Sequence, residues 1–233
     1  MTLPSLALAG LDPVASVATN KLASTFGSGS ATLAFWRAGK VEMAMAPSAV
    51  AAGVGAALGA LALPWAPRAL LVQALPVVLV AVALYFAFAP DLTEAQRRAP
   101  LQPGQLACTI APVVGLYDGV FGPGAGSFYM IGFVVLGGFG LTRAMAGARF
   151  ANLGSNFGAL LIYAMSGHIL VPAGLAMGAG AFVGARLGAL SALREGARLV
   201  RPLIVACVAQ WRSNSWPRQA GLLSSEWRFL TGG

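Results

Sequence analysis

The sequence predicts an all-α fold, a polytopic transmembrane helical bundle built from two tandem repeats. Composition, charge-free length and internal repetition lead there. Hydrophobic residues make up 58% of the chain, charged residues only 9%, and mean hydropathy is +0.76. Soluble domains carry about 25% charged residues, because their surface faces water. A chain of 233 residues this poor in charge cannot cover a water-facing globule, so most of its surface is expected to face lipid.

Crossing a bilayer takes about 20 predominantly apolar residues. Met43–Pro67 and Ala69–Pro90 contain no charge, and Ala99–Tyr117 and Gly119–Thr142 flank Asp118. Phe150–Ala185 is charge-free and long enough for more than one helix, with a turn expected at Gly167 and His168. Ala197–Trp211 is a shorter candidate, and Leu3–Thr19 is a marginal one interrupted by Asp12 and Pro13. Six to seven spanning segments result. The most polar stretch, with Asp91, Glu94, Arg97 and Arg98, lies between Pro90 and Pro103. Helices end near such prolines, which makes residues 91–104 a linker between two halves.

The halves repeat. A shift of 128 residues takes Lys21 to Arg149, Ala23 to Ala151, Ala31 to Ala159 and Gly39 to Gly167. A shift of 129 takes Gly55, Gly59 and Leu61 to Gly184, Gly188 and Leu190. Residues 1–90 and 105–209 are therefore read as the two repeats. The first lacks a counterpart of the glycine-rich segment that opens the second, and so reads as N-terminally incomplete. Leu3–Thr19 is expected to pack as a partial helix. Residues 210–233, with Arg212, Arg218, Glu226 and Arg228, read as an atypical tail outside the repeat, held out of lipid by its charges.

Candidate site residues follow from polar chemistry placed where lipid is expected. Gly122, Pro123, Gly124 and Gly126 invite a phosphate-loop reading, but such a loop needs a preceding strand and a lysine or acidic partner at set spacing. A broken membrane helix fits better, with unwound backbone facing a cavity. A half-helix beginning near Ser127 would then aim its partially positive N-terminus into that cavity. Close packing through small residues is the other reading. Asp118 is an ionisable group in an apolar stretch, which marks a functional site or a hydrated membrane edge. Lys21 and Arg149 occupy equivalent repeat positions. Facing one cavity they would form an anion site, with Asn20, Ser24, Asn152, Ser155 and Asn156 as neutral partners; otherwise they snorkel to the head groups. Gly154/Gly158, Gly55/Gly59 and Gly180/Gly184/Gly188 are packing stripes at helical spacing.

The formal charge of +8 would suggest nucleic acid in a soluble protein. Here basic residues sit scattered at the ends of apolar runs, which fits anchoring at the membrane edge. Cys108 and Cys207 read as small buried apolar side chains. His168 reads as an interfacial turn residue. No His, Cys and carboxylate cluster spells a metal site, no Ser-His-Asp set has its full cast, and enzymatic chemistry has little support. Arg68, Arg143, Arg194, Arg198 and Arg201 outnumber Arg37, Lys40, Arg97 and Arg98 in the alternate set of loops. That places the first set in the cytoplasm.

These residues converge on a known pattern. Ala18-Thr-Asn-Lys-Leu-Ala-Ser-Thr-Phe-Gly-Ser28 with Arg37-Ala-Gly39 resembles the first repeat of the sulfite exporter TauE/SafE family. Asp118-Gly-Val-Phe-Gly-Pro-Gly-Ala-Gly-Ser-Phe128, Ala151-Asn-Leu-Gly-Ser-Asn156 and Ser166-Gly-His168 resemble its second. The resemblance runs from about Thr2 to about Val205. It implies a permease of about eight helices that moves sulfite, sulfonates or related organic anions. The expected function is secondary transport of a small anion at a site drawn from Asn20, Lys21, Asp118, Gly122, Gly124, Gly126, Ser127, Arg149, Asn152 and Asn156. The alternative is a non-transporting membrane scaffold or a degenerate transporter fragment. The expected location is the cell (inner) membrane, multi-pass. The expected partners are the lipid bilayer and a small anion, with homo-oligomerisation open, and neither cofactor nor nucleic acid.

Overall fold

A computed structural model of the chain describes residues 13–65 and 99–195. Those residues form seven α-helical segments and no strand: α1 Pro13–Arg37, α2 Ala46–Ala62, α3 Pro103–Cys108, α4 Ile110–Val120, α5 Ala125–Val135, α6 Leu141–Ser166 and α7 Val171–Glu195. Short 3₁₀ turns at Met43–Met45 and Leu63–Trp65 flank α2. The spans expected at Ala69–Pro90 and Ala197–Trp211, most of the polar linker and the tail lie outside the described residues.

The largest departure from expectation is α1. A marginal, interrupted span was expected to end at Thr19, yet one helix of 25 residues runs through Lys21 to Arg37. Pro13 starts the helix, where its missing N–H costs nothing. The polar side chains inside it satisfy themselves locally. The Thr25 hydroxyl donates to the Lys21 carbonyl at 2.8 Å and Ser28 to the Ser24 carbonyl at 2.8 Å. Such back-bonding hides hydroxyls from an apolar environment without breaking the helix.

Glycine sets how closely the helices approach. Gly55 and Gly59 of α2 lie so near the Pro112 and Leu116 carbonyls of α4 that any Cβ would collide with them. Gly154 and Gly158 of α6 rest on the Ala49 and Gly53 carbonyls of α2 in the same way. These two stripes are packing faces. At the third expected stripe, nothing among the described residues lies within 4 Å of a Cβ added at Gly180, Gly184 or Gly188. On α7 the packing glycines are Gly174 and Gly178, against Leu22 and Phe26 of α1. Cys108 also departs from expectation. It is exposed at the end of α3, whose buried face is Leu106 and Ala107.

Overpacking a well-filled interface costs about 1–3 kcal/mol, and more where only backbone opposes the added atoms. Gly158→Leu should therefore lower the unfolding midpoint in detergent and reduce monodisperse yield. Gly104→Ala, where nothing lies within 4 Å, should leave both unchanged. Equal behaviour of the two variants would refute the close α2–α6 packing.

Helix directions follow from the contacts. Leu22, Phe26 and Ser30 of α1 meet Gly174, Gly178 and Phe182 of α7 in the same order, so α1 and α7 run parallel. Ala49 and Gly53 meet Gly154 and Gly158, so α2 and α6 are parallel too. Between α1 and α6 the order reverses: Lys21 meets Asn156, Gly29 meets Leu153, and Trp36 meets Phe150. The α4 and α5 helices are antiparallel. Ile110 packs on Gly132, Tyr117 on Phe128, and the Leu101 amide donates to the Leu136 carbonyl at 2.9 Å. The chain thus enters along α3 and α4, turns at 121–124 and returns along α5 to the end it came from.

That end of the bundle also holds the α1–α2 connection, because Glu42 pairs with Arg143 at the start of α6. This corrects the loop assignment made from charge. Arg143 shares an end with Arg37 and Lys40, and the register of α7 on α1 brings Arg194 there as well. Alternating crossings misplace Arg143 because the segment before it is a hairpin rather than a crossing. The opposite end carries the turn at Gly167, whose φ of 71° closes α6, and an exposed His168.

Candidate functional site

The hairpin tip is built from residues that no ordinary helix would keep. Gly122 and Gly124 both have φ of +84°, a left-handed conformation that residues with a Cβ rarely adopt. Pro123 between them has no N–H to continue α4. Helix α5 restarts at once, with Gly124 as its N-cap and the Ser127 amide donating to the Gly124 carbonyl at 2.9 Å. Two tyrosines hold the tip. Tyr117 donates to the Pro123 carbonyl at 2.7 Å, and Tyr163 of α6 donates to the Gly119 carbonyl at 2.8 Å. The Pro123 and Gly119 carbonyls at the turn are thereby satisfied within the protein.

Beneath the tip lies a sealed polar cluster. The Lys21 ammonium is 2.7 Å from Asp118 Oδ1, and both residues are almost wholly buried, at 0% and 1% exposure. Lys21 also donates to Asn156 Oδ1 at 3.2 Å, and the Asn156 amide reaches the Ser28 hydroxyl at 3.5 Å. The Ser155 hydroxyl donates to the other oxygen of Asp118. Each charge is paired and hydrogen-bonded, which is the condition under which charges persist in a low-dielectric interior. Asp118 is therefore no membrane-edge residue; it sits at mid-bundle and is shared by α4, α1 and α6.

Lys21 and Arg149 both lie near the tip. A Cβ at Gly122 would lie 3.7 Å from Asn20 Nδ2 and 3.8 Å from Lys21 Nζ. A Cβ at Gly126 would lie 3.7 Å from Arg149 Nη1 and 3.8 Å from Asn152 Nδ2. Their states differ. Lys21 is neutralised and enclosed, whereas Arg149 is exposed and makes no ion pair or hydrogen bond among the described residues. Of the expected site residues, Asn20, Lys21, Asp118 and Asn156 gather on the sealed side of the tip. Arg149 and Asn152 gather at the start of α5 beside Gly126 and Ser127. Sequence reasoning missed the tyrosines. The Tyr129 hydroxyl is buried and has no hydrogen-bond partner among the described residues. Tyrosines in otherwise apolar helices carried the available signal, since a buried hydroxyl needs a partner.

A re-entrant hairpin whose tip meets cations from two helices is architecture of the kind membrane transporters use. The comparisons with known proteins agree. Residues 1–209 match the family described as sulfite exporter TauE/SafE, and the chain belongs to that family. It is 43% identical over 206 residues to the probable membrane transporter protein ORF9 of Sinorhizobium sp, covering 88% of this chain and 79% of that protein. It is 39% identical over 206 residues to the probable membrane transporter protein YfcA of Escherichia coli (strain K12), covering 88% and 77%. A probable membrane transporter protein of Haemophilus influenzae is 35% identical over 206 residues, covering 88% and 81%. No solved structure matches the chain. The protein is thus a membrane transporter of this family, and Met43–Trp65 and Val171–Arg194 are long and apolar enough to cross a bilayer.

Proposed function

We propose that the chain is a multi-pass inner-membrane permease that carries out secondary transport of a small anion, such as sulfite, a sulfonate or a related organic anion. The observation that carries this reading is Arg149. Arg149, an exposed residue whose guanidinium has no partner among the described residues, stands beside Asn152 at the N-terminal end of α5, where the helix dipole adds partial positive charge. A guanidinium fork matches two oxygens of a planar or tetrahedral oxyanion. Amide and hydroxyl donors at Asn152 and Ser127 suit the remaining oxygens. A scaffold would need neither an unpaired cation nor a strained hairpin at mid-bundle.

The repeat supports an alternating mechanism. With shifts of 128 and 129 residues, α1 corresponds to α6 and α2 to α7, and in both cases the helices run in opposite directions. The Phe26–Gly178 and Ser30–Phe182 contacts then correspond to Gly154–Ala49 and Gly158–Gly53. Ser28 corresponds to Asn156, so the Ser28–Asn156 hydrogen bond joins equivalent positions across a pseudo-two-fold axis. Inverted repeats of this kind permit one half to rock against the other around a fixed midplane site.

Arg37, Lys40, Arg143 and Arg194 share one end, which the positive-inside rule assigns to the cytoplasm. The hairpin then enters from the cytoplasmic side. A cysteine at Lys40 should react with an impermeant maleimide only in inverted vesicles, and one at His168 only in right-side-out vesicles. The reverse pattern would invert the assignment. Function is tested in proteoliposomes offered sulfite, methanesulfonate and sulfoacetate. Saturable uptake of at least one anion that competes with the others is expected, and no saturable uptake of any of them would overturn the reading.

A further inference from the structure

We infer that the Lys21–Asp118 pair is the coupling element of transport: a proton taken by Asp118 releases Lys21 to bind the anion, so that proton and anion cross together. The inference rests on the anion-permease reading above.

Four features point to it. The pair lies immediately under the hairpin tip, with the Lys21 ammonium and the Asn20 amide both close to Gly122. One side of the tip is thus the sealed pair, and the other is the accessible Arg149. The pair joins the two halves of the chain, since Lys21 belongs to α1 and Asp118 to the hairpin. The side chains that contact Asp118 among the described residues are Ser155 from α6, a hydroxyl that can donate to a carboxylate or accept from a carboxyl, and one cation, Lys21 from α1. The nearby tyrosines are neutral, and Tyr117 and Tyr163 donate to the Pro123 and Gly119 carbonyls. The Tyr129 hydroxyl, buried and unpartnered among the described residues, is available to a changed Asp118.

Charge balance explains why the two ligands travel together. With the pair closed, the site carries Lys21, Asp118 and Arg149, one net positive charge. An anion arriving alone meets the Asp118 carboxylate and finds Lys21 occupied. When a proton reaches Asp118 it bonds to a carboxylate oxygen, the ion pair breaks, and the site holds two unpaired cations. Binding one monovalent anion returns the net charge to its resting value. Empty and fully loaded sites therefore carry equal charge through the low-dielectric bundle, whereas a half-loaded site does not. Release of the anion and of the proton on the other side restores the pair.

The test uses the full chain in liposomes, with sulfite, methanesulfonate and sulfoacetate offered separately. Methanesulfonate and the sulfonate group of sulfoacetate stay ionised across the working pH, so their protonation does not imitate coupling. For wild type, a tenfold inward proton gradient should drive several-fold accumulation of the transported anion, and internal pH should fall on anion entry. Asp118→Asn should lose gradient-driven accumulation and the fall in internal pH, and Asp118→Glu should retain both. Because Asp118→Asn could fold poorly, proton uptake by detergent-solubilised wild type on anion binding is measured as well, at about one proton per bound anion. Gradient-independent transport by wild type, or anion binding without proton uptake, overturns the inference while leaving the permease intact. Movement of none of the three anions by wild type removes the permease reading and the inference with it.

Discussion

Replacing Lys21 with methionine should be the most destabilising single change in the described bundle, and adding Asp118→Asn should recover most of the loss. Lys21 and Asp118 are sealed from solvent and bonded at 2.7 Å. Removing one member of such a pair leaves the other charged and unpaired, which costs about 3–5 kcal/mol. Lys21→Met fills similar volume without charge, so the deficit falls on Asp118, left with the Ser155 hydroxyl as its direct donor. The double variant holds no charge at either position, and the amide oxygen that Asp118→Asn introduces can still accept from Ser155. Replacing both members of a buried pair with neutral groups of similar size is often near neutral. Unfolding midpoints of wild type, both single variants and the double variant close a thermodynamic cycle. The expected coupling is large, with the double variant more stable than Lys21→Met alone. Losses that simply add would mean the two charges are satisfied independently, against the geometry.

Much of this was legible before any coordinates. Charge-free runs located α2 and α7 because their lipid-facing and packing residues are both apolar. The glycine-proline cluster at 122–126 marked the break, since two residues there need positive φ. Lys21 and Arg149, paired by the 128-residue shift, both lie near the tip. What was missed shares one cause: hydropathy counts polar atoms whether or not the fold satisfies them. Helix α1 was undervalued because Thr25 and Ser28 bond back into their own helix and Lys21 is neutralised by Asp118, 97 residues away. The pairing of Lys21 with a carboxylate could not be read from spacing, because it depends on a hairpin that brings α4 only halfway along α6. The same hairpin put Arg143 on the unexpected end. Which glycine stripe of α7 faces a neighbour is set by the register of Leu22 and Phe26 on α1, information the periodicity of α7 does not contain.

Arg149 should separate transport from folding. Its guanidinium pairs with nothing among the described residues and lies beside Gly126 and Asn152 at the start of α5. Removing an unpaired, accessible cation leaves no orphaned partner, so Arg149→Gln should insert and unfold like wild type. A charged group that contacts a bound ion in a partly desolvated site typically contributes about 2–5 kcal/mol, or about 30-fold to several thousand-fold in affinity. Initial uptake rates at low anion concentration should therefore fall by about 30-fold or more. Arg149→Lys should recover only part of the loss, because an ammonium keeps the charge but not the two-pronged geometry. Lys40→Gln, which removes an exposed cation at the bundle's end, should transport normally. This contrast distinguishes binding from snorkelling. A cation that merely anchors α6 at the head groups would give Arg149→Gln the behaviour of Lys40→Gln, with uptake intact and only small changes in membrane insertion. A site cation gives the opposite pattern, unchanged insertion with uptake lost, and raising the anion concentration should restore part of the rate through the weakened affinity.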